Sequence, residues 1–263
     1  MCCALARHMP FSPEPYPLKQ FLARHAFVCL EGNHAVLLDL LRDKYLALDA
    51  ATSERLAEIV AGWPTRATRA PDPLSAKDAE LIKLTIEDLT QRGLITTDPD
   101  QGKSAVPVSV PQPSDTLLAA PEFREHAIAV RPYVQAWRTV ALLIASITAA
   151  LWLRFLPIHR TISKVARAGR VATIEHPAFN ESTARQGVSL FYQLRPLLFS
   201  AHNACLFDSL VLTLFLRRLG VFPQWVFGIR TGPFAAHCWV QHGHIVLNDS
   251  VDNVRSYTPI MLV

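Results

Sequence analysis

A cysteine, a histidine and an aspartate in the last third of the chain have the residue types and the order of a thiol-based catalytic triad. Cys205 lies near the start of an apolar run at 203–219, where Asn203 and Gly220 suit the two caps of a helix. Free backbone N–H groups and the positive end of the helix dipole favour a thiolate in that first turn. Because a free thiol is mostly protonated at neutral pH, a neighbouring base is also required.

The base is predicted on a strand that follows the helix. Residues 234–241 and 245–249 have the composition of two strands joined by a short turn. Alternation in the first strand places His237 and Trp239 on one face and Cys238 on the other. We therefore expect His237, and not Cys238, to serve a site with Cys205.

The third member of the site depends on the length of the turn between these strands. An odd-length loop at 242–244 places Asp249 on the face of His237, whereas an even-length loop at 242–243 presents Asn248 there instead. Either side chain can accept the second N–H of the imidazole and so hold its orientation. The sequence leaves both open.

A zinc site is the competing interpretation of these side chains, and we predict no metal. The residue types of zinc ligands are present, but no pair has the C-x-x-C or H-x-x-x-H spacing, and His242 and His244 suit a turn. The possible ligands are His202, Cys205, His237, His242 and His244. The chain also lacks the phosphate-binding motif G-x-x-x-x-G-K-[ST], so we expect it to bind no ATP.

Composition and charge exclude several classes of protein. The chain has 263 residues, of which 50% are hydrophobic, so it is not intrinsically disordered. A net charge of +4 gives no reason to expect a nucleic-acid partner. The odd number of cysteines, 5 in all, fits reduced thiols in a cytoplasm, and the first residues lack the apolar run of a signal peptide.

Four segments are distinguished by composition. Residues 1–19 form an N-terminal extension, 20–97 a compact block, 98–125 a Pro-rich linker, and 126–263 the part that carries the candidate triad. The block is predicted as strands at 26–30, 35–40 and 45–48, then two helices capped by Thr52 or Ser53 and by Ser75, and a short strand at 94–96.

The region between the linker and Cys205 is predicted to be helical, over 133–153, 158–168 and 182–194. The uncharged run at 139–153 spans only about 22 Å as a helix, against the ~30 Å of a bilayer core, so we expect a buried helix and no membrane association. A basic face follows, which is interpreted as solvated surface or, alternatively, as a dock for an acidic partner. Its residues are Arg154, Arg160, Lys164, Arg167 and Arg170.

The segment AVLLDLLRDKYLALDAATSERLAEIV at 35–60 resembles the PqqD-like peptide-recognition domain, a small winged-helix-type fold of three strands and helices. The resemblance implies that a leader peptide binds by adding a strand to the third strand, beside the last helix. The residues it implicates are Lys44, Tyr45, Leu46, Ala47, Leu48, Ile82 and Ile86.

The segments CLFDSLVL and LRRLGV, followed by AHCWV and LND, resemble the B proteins of lasso-peptide biosynthesis. Together, the two resemblances imply an α+β chain with a PqqD-like domain before a transglutaminase- or papain-like cysteine peptidase domain. By this match Cys205 is the nucleophile, His237 the base and Asp249 its orienting partner. The Cys205 N–H, with Asn203 or His202, would stabilise the oxyanion. Cys238 departs from the small residue usual in the family, and we expect little effect.

The resemblance implies that the protein cleaves the leader from a ribosomally made precursor peptide. Its implied partners are that precursor and an asparagine-synthetase-like cyclase, which would consume ATP while this chain binds no cofactor. Two alternatives remain. The same triad supports an acyltransferase in which an amine replaces water, and a non-catalytic scaffold would bind the leader without cleaving it.

Overall fold

The computed structural model describes residues 19–32, 34–66, 76–117, 132–175, 180–198 and 205–263. Strands and helices are mixed along the chain, and this confirms the predicted α+β class. We call residues 19–103 the N-terminal unit and residues 132–263 the C-terminal unit. Apart from Lys19, the predicted N-terminal extension lies outside the described residues, as do His202, Asn203 and Ser75.

The three strands predicted in the N-terminal unit are confirmed within one residue at each end. They are β2 (Ala26–Glu31), β3 (His34–Asp39) and β4 (Lys44–Leu48), which form an antiparallel sheet in the order β2-β3-β4. The carboxylate of Asp39 accepts hydrogen bonds from the backbone N–H groups of Leu41 and Arg42 and so fixes the turn before β4. Strand β4 is consequently an edge of this sheet.

Two helices and a second small sheet complete the unit. Helix α1 (Ala50–Ile59) is capped by Asp49, which accepts from the Thr52 N–H at 2.9 Å. The predicted cap at Thr52 or Ser53 is therefore wrong, because the helix begins directly after β4. Ser53 instead accepts from the Trp63 indole at 3.0 Å in the core. Helix α2 (Ala76–Gln91) then leads into the second sheet. Its strands are β1 (Phe21–Ala23), β5 (Ile95–Thr96) and β6 (Gly102–Lys103), in the order β5-β1-β6.

The predicted linker at 98–125 is paired to both units where it is described. Strand β6 lies beside β1 in the N-terminal unit, whereas β7 (Asp115–Thr116) pairs in parallel with β10 (Ile245–Val246) of the C-terminal unit. These short pairings satisfy backbone groups at both ends of the described part of the linker.

The C-terminal unit contains a five-stranded sheet with the order β11-β8-β9-β10-β7. Its long strands are β8 (Gln224–Thr231), β9 (Phe234–His242) and β11 (Thr258–Leu262). Helix α6 (Cys205–Arg218) packs against one face, and the short helix α7 (Val251–Arg255) follows β10. This arrangement places the first turn of α6 beside strand β9.

Three more helices precede α6: α3 (Pro132–Phe155), α4 (Ile158–Glu175) and α5 (Glu181–Leu198). The side of α3 that carries Ala141, Ala145 and Ala149 is buried against the core. The opposite side exposes large apolar residues such as Trp137 and Ile147, so the expectation of a buried helix is wrong for that side. By length and composition, α3 is long and apolar enough to cross a membrane.

One hydrophobic cluster contains residues of both units, and a second lies within the N-terminal unit. Alternate residues of β3 point in opposite directions: Leu37 packs towards Leu56 within the N-terminal unit, and Leu38 joins the core around Phe227 and Met261. The side chains of Thr258 and Glu31 also contact each other across this boundary. The β2-β3-β4 sheet therefore packs against both clusters, and Tyr45 of β4 borders a pocket that Ile158 and Ile162 of α4 also line.

Candidate active site

Cys205 is the first residue of α6, as the sequence predicts. Its thiol is partly exposed, whereas Cys29 and Cys238 are buried. The first N–H groups of an α-helix have no acceptor within the helix, so the Cys205 N–H is available to an oxyanion by its position. Asn203, the second predicted oxyanion donor, lies outside the described residues.

The structure brings His237 and Asp249 to the same place. The imidazole lies close enough to Cys205 to lower the pKa of its thiol, and its Nε2 lies 2.5 Å from Asp249 Oδ2. Because Nε2 contacts Asp249, the other ring nitrogen, Nδ1, is the one left to exchange a proton with the thiol. The three predicted triad residues therefore lie together at the start of α6.

Asp249, rather than Asn248, is the partner of His237. A second hydrogen bond holds the same carboxylate, because Asn253 Nδ2 donates to Asp249 Oδ2 at 2.8 Å. Asn248 serves elsewhere: its Oδ1 accepts from the Val240 N–H at 2.7 Å. Sequence reasoning missed Asn253, although its position four residues after Asp249, past the helix cap Ser250, was a readable signal.

Cys238 also contacts Cys205, against expectation. Its thiol and its backbone N–H both lie close enough to the Cys205 sulfur to lower the pKa of that thiol, and its Sγ lies 3.2 Å from Ser209 Oγ. The reason is the short partner strand: along β9, β10 pairs with Gln241 and His242, and one further bond joins the Leu247 N–H to the Val240 carbonyl. The edge of β9 at residues 237 and 238 is left open to Cys205, which reaches side chains from both faces of the strand.

These contacts shift the pKa values of Cys205 and His237 in the directions that favour an ion pair between them. Hydrogen bonds with Cys238 and His237 lower the pKa of the Cys205 thiol to about 4. Burial favours a neutral imidazole, but hydrogen bonds with Asp249 and Cys205 outweigh it and raise the pKa of His237 to about 9. Burial raises the pKa of Cys238, so that thiol stays protonated. At neutral pH the site therefore holds a thiolate beside an imidazolium.

A buried ion pair connects α6, the helix that carries Cys205, to helix α5. Asp208, one turn along α6 from Cys205, lies 2.7 Å from Arg195 Nε on helix α5. Asn248 Nδ2 donates to the second oxygen of Asp208 at 3.2 Å, which ties the segment before Asp249 to α6. Burial nevertheless raises the pKa of Asp208. The contact of Arg195 with Asp208 could not be predicted from sequence, because no spacing rule relates residues on two different helices.

Aromatic rings fix the plane of the imidazole. His237 lies between Trp239 and Tyr257, with ring centroids 6.1 and 5.0 Å away. Gly228 pairs with His237 across the sheet, and a Cβ there would lie 2.9 Å from the Trp239 ring. A glycine at this position leaves the space that the Trp239 ring occupies.

The described residues contain no group of three His, Cys, Asp or Glu side chains arranged to hold a metal ion. His237 makes its two ring contacts with Asp249 and Cys205, as above. The geometry that the structure gives these side chains is that of proton transfer between a thiol and an imidazole.

The residues predicted to bind a leader peptide are divided between two faces of the N-terminal unit. Tyr45 faces the C-terminal unit, where it borders the pocket beside Cys205 and packs edge-on against Phe234 at 5.4 Å. Leu46, Leu48 and Ile86 pack into the core of the N-terminal unit. Of the remaining three, Ile82 is buried, while Lys44 and Ala47 are exposed.

Comparison with known proteins identifies the second half of the chain. Residues 143–262 match the sequence model of the Transglutaminase-like superfamily. Searches of the curated proteins and of the solved structures gave no significant match. The matched range begins in α3 and ends in β11, and it contains Cys205, His237 and Asp249. Residues 143–262 are thus similar to the transglutaminase-like superfamily and form a transglutaminase-like domain.

Proposed function

We propose that this protein is a cysteine peptidase that removes the leader from a ribosomally made precursor of a lasso peptide. The observation that carries the peptidase assignment is that Cys205, His237 and Asp249 lie together at the start of α6, with His237 Nε2 2.5 Å from Asp249 Oδ2. A superfamily that includes cysteine peptidases and acyltransferases is consistent with it.

The reaction follows from the two protonation states. The Cys205 thiolate attacks the carbonyl carbon of the scissile bond, and the resulting oxyanion lies near the free N–H at the start of α6. The His237 imidazolium then gives its proton to the leaving amine, and the C–N bond breaks to leave a thioester. Neutral His237 next takes a proton from water, whose oxygen attacks the thioester and releases the acid and the Cys205 thiolate. Asp249 stays ionised and holds the ring.

The choice of a leader peptide as substrate is supported by the position of β4. This strand is an edge of its sheet, and an edge strand offers unpaired backbone groups to an incoming peptide. Tyr45 on β4 borders the same pocket as Cys205, so a peptide paired with β4 would lie close to the thiol. The lasso-peptide precursor, an asparagine-synthetase-like cyclase as partner and a cytoplasmic location are parts of the proposal that rest on the sequence resemblance.

The direct test is cleavage of a precursor peptide by Cys205→Ala and by a matched control, Cys29→Ala. Cys29 is buried in the β2 strand and takes no part in the site. We expect Cys205→Ala to lose all turnover but retain peptide binding, and Cys29→Ala to keep turnover after folding is confirmed by circular dichroism. Full processing by Cys205→Ala would contradict the proposal.

The mass of the product distinguishes a peptidase from an acyltransferase with the same triad. Hydrolysis adds one water and gives a free acid at the cleaved carbonyl, whereas transfer to an amine gives an amide. We expect the free acid. An amide product that depends on Cys205 would keep the nucleophile and replace the peptidase by an acyltransferase.

A further inference from the structure

A pocket of about 300 Å³ opens beside the Cys205 thiol. Its walls come from both units and are mostly apolar: β3 and the turn after it, helix α4, and strands β8 and β11 each contribute. The apolar side chains that the argument uses are Leu38, Leu40, Ile158, Ile162, Phe227 and Met261. All but Ile158 are buried.

The chemistry of the walls selects for an apolar group. The ionisable side chains that border the pocket, within the described residues, are Asp43, Tyr45 and the site residues Cys205, His237 and Cys238. Burial raises the pKa of the Tyr45 phenol to about 12, so its ring adds a neutral wall. A charged group that entered the pocket would lose hydration against mostly apolar walls, where the His237 imidazolium is already paired with Asp249 and the Cys205 thiolate, whereas an apolar group would leave water for a matching surface.

The size of the pocket fits a bulky side chain. An apolar cavity of ~150 Å³ already binds benzene. A pocket of about 300 Å³ that is open at the thiol therefore accommodates an isobutyl or benzyl group together with part of a peptide backbone. A single methyl group would leave most of the apolar walls in contact with water.

We propose that this pocket binds a bulky apolar side chain of the acyl-donor peptide, next to the carbonyl that Cys205 attacks. The N-terminal unit supplies Leu38, Leu40 and Tyr45 to its wall, so both units determine which bond is cleaved. The inference rests on the proposed function for its substrate, but the pocket itself is tested by reagents that need no peptidase activity.

The test is the rate at which Cys205 is alkylated by three iodoacetamides, N-benzyl, N-isobutyl and N-carboxymethyl, followed by peptide mapping. Each rate is divided by the rate of the same reagent with free glutathione, which removes differences in intrinsic reactivity. We expect the benzyl and isobutyl reagents to react at least about tenfold faster than the carboxymethyl reagent, in the range that one or two methylene groups give in apolar pockets.

Two matched variants test whether this pocket is responsible. Ile158→Asp places a carboxylate in the pocket wall at the first turn of α4, where an acidic residue is compatible with the helix. Leu151→Asp makes the same kind of change on the exposed side of α3. We expect Ile158→Asp to lower the benzyl-to-carboxymethyl ratio about tenfold and Leu151→Asp to leave it unchanged. Equal ratios for the three reagents, or a ratio that Ile158→Asp does not alter, would overturn the inference.

Peptide cleavage separates this inference from the proposed function. Precursor peptides that carry Leu, Ala or Asp at each position flanking the scissile bond are compared for kcat/KM. Cleavage of all three at equal rates, at every position, contradicts the pocket and supports the peptidase. Selective alkylation without cleavage of any peptide supports the pocket and contradicts the peptidase.

Discussion

Among the residues that the structure describes, two histidines lie against aspartates, one in each unit, and their pKa values move in opposite directions. In the N-terminal unit His25 Nε2 is 3.9 Å from Asp39 Oδ1, and burial lowers the pKa of His25 in spite of that carboxylate. In the C-terminal unit His237 Nε2 is 2.5 Å from Asp249 Oδ2, and the pKa of His237 rises to about 9.

The pKa values of the two histidines differ because Asp39 and Asp249 have different additional partners. Asp39 is 2.7 Å from Arg42 Nη1 and also accepts two backbone N–H groups of its own turn, so it interacts with His25 only at long range. Asp249 directs one oxygen to His237, and the far side of that ring meets a thiolate. A histidine–aspartate pair therefore indicates catalysis only when the carboxylate is not already neutralised and a second group uses the imidazolium.

The largest expected effect separates the two histidines. His237→Ala removes the proton donor and the partner of the thiolate, and we expect kcat/KM for precursor cleavage to fall by at least about 10³-fold. His25→Ala is the counterpart, and it should change kcat/KM by less than about threefold. Steady-state kinetics on both variants makes the comparison, and similar losses in the two would remove the distinction drawn here.

The two aspartates give the next largest difference. Asp249→Asn keeps the shape but loses the charge that holds the imidazolium, so kcat/KM should fall by about 10²- to 10⁴-fold. Asp39→Asn should leave kcat/KM nearly unchanged and lower the free energy of unfolding by about 1–3 kcal/mol, because Arg42 and two N–H groups lose a charged acceptor. Kinetics and urea unfolding on each variant measure both effects, and a catalytic loss in Asp39→Asn without unfolding would be inconsistent with this account.

The pH dependence of kcat/KM should reflect the pKa values of Cys205 and His237. The active form needs a Cys205 thiolate, which is protonated as the pH falls through about 4, and a His237 imidazolium, which loses its proton as the pH rises through about 9. We expect a plateau between these limits. Asp249→Asn should shift the fall on the alkaline side to lower pH, whereas Asp39→Asn should not move it. A profile that rises only above pH 7 would mean that the resting thiol is protonated.

The smallest effect is expected from two glycines, one in each unit. Gly228→Ala brings a Cβ within 2.9 Å of the Trp239 ring, which stacks on His237, so we expect about a tenfold loss of kcat/KM. Gly93→Ala meets nothing within 4 Å but has a φ of +68°, so it should cost about 1 kcal/mol of stability and leave kcat/KM unchanged. Thermal unfolding and kinetics on both variants distinguish the two causes.

Local periodicity was enough to predict α6, β9 and the strands of the first sheet, because each depends on residues close in sequence. The length of the turn between β9 and β10 did not predict which residue contacts His237. Ile245 pairs with His242, so the turn has the even length that was expected to present Asn248. The chain leaves the ladder after Val246, and Asp249 turns to the histidine instead.

Two other expectations failed because they depended on neighbours. Alternation correctly placed Cys238 and Trp239 on opposite faces of β9, but it missed the proximity of Cys238 to Cys205 because it says nothing about where a strand edge is left open. The exposed side of α3 depends on how much of that helix α5 and α6 cover, which hydropathy does not report. Arg195 could not be found for the same reason, since its contact with Asp208 joins two helices.

The double-sided burial of the β2-β3-β4 sheet has a consequence for how the molecule can be divided. Expression of residues 126–263 alone would leave Phe227 and Met261 facing water where Val36 and Leu38 now lie. A truncated protein that starts after the first 125 residues should therefore aggregate even though it retains the whole triad. The packing of the two units would also determine the distance between the thiol and any peptide that pairs with β4. A flexible linker between independent domains would let that distance vary.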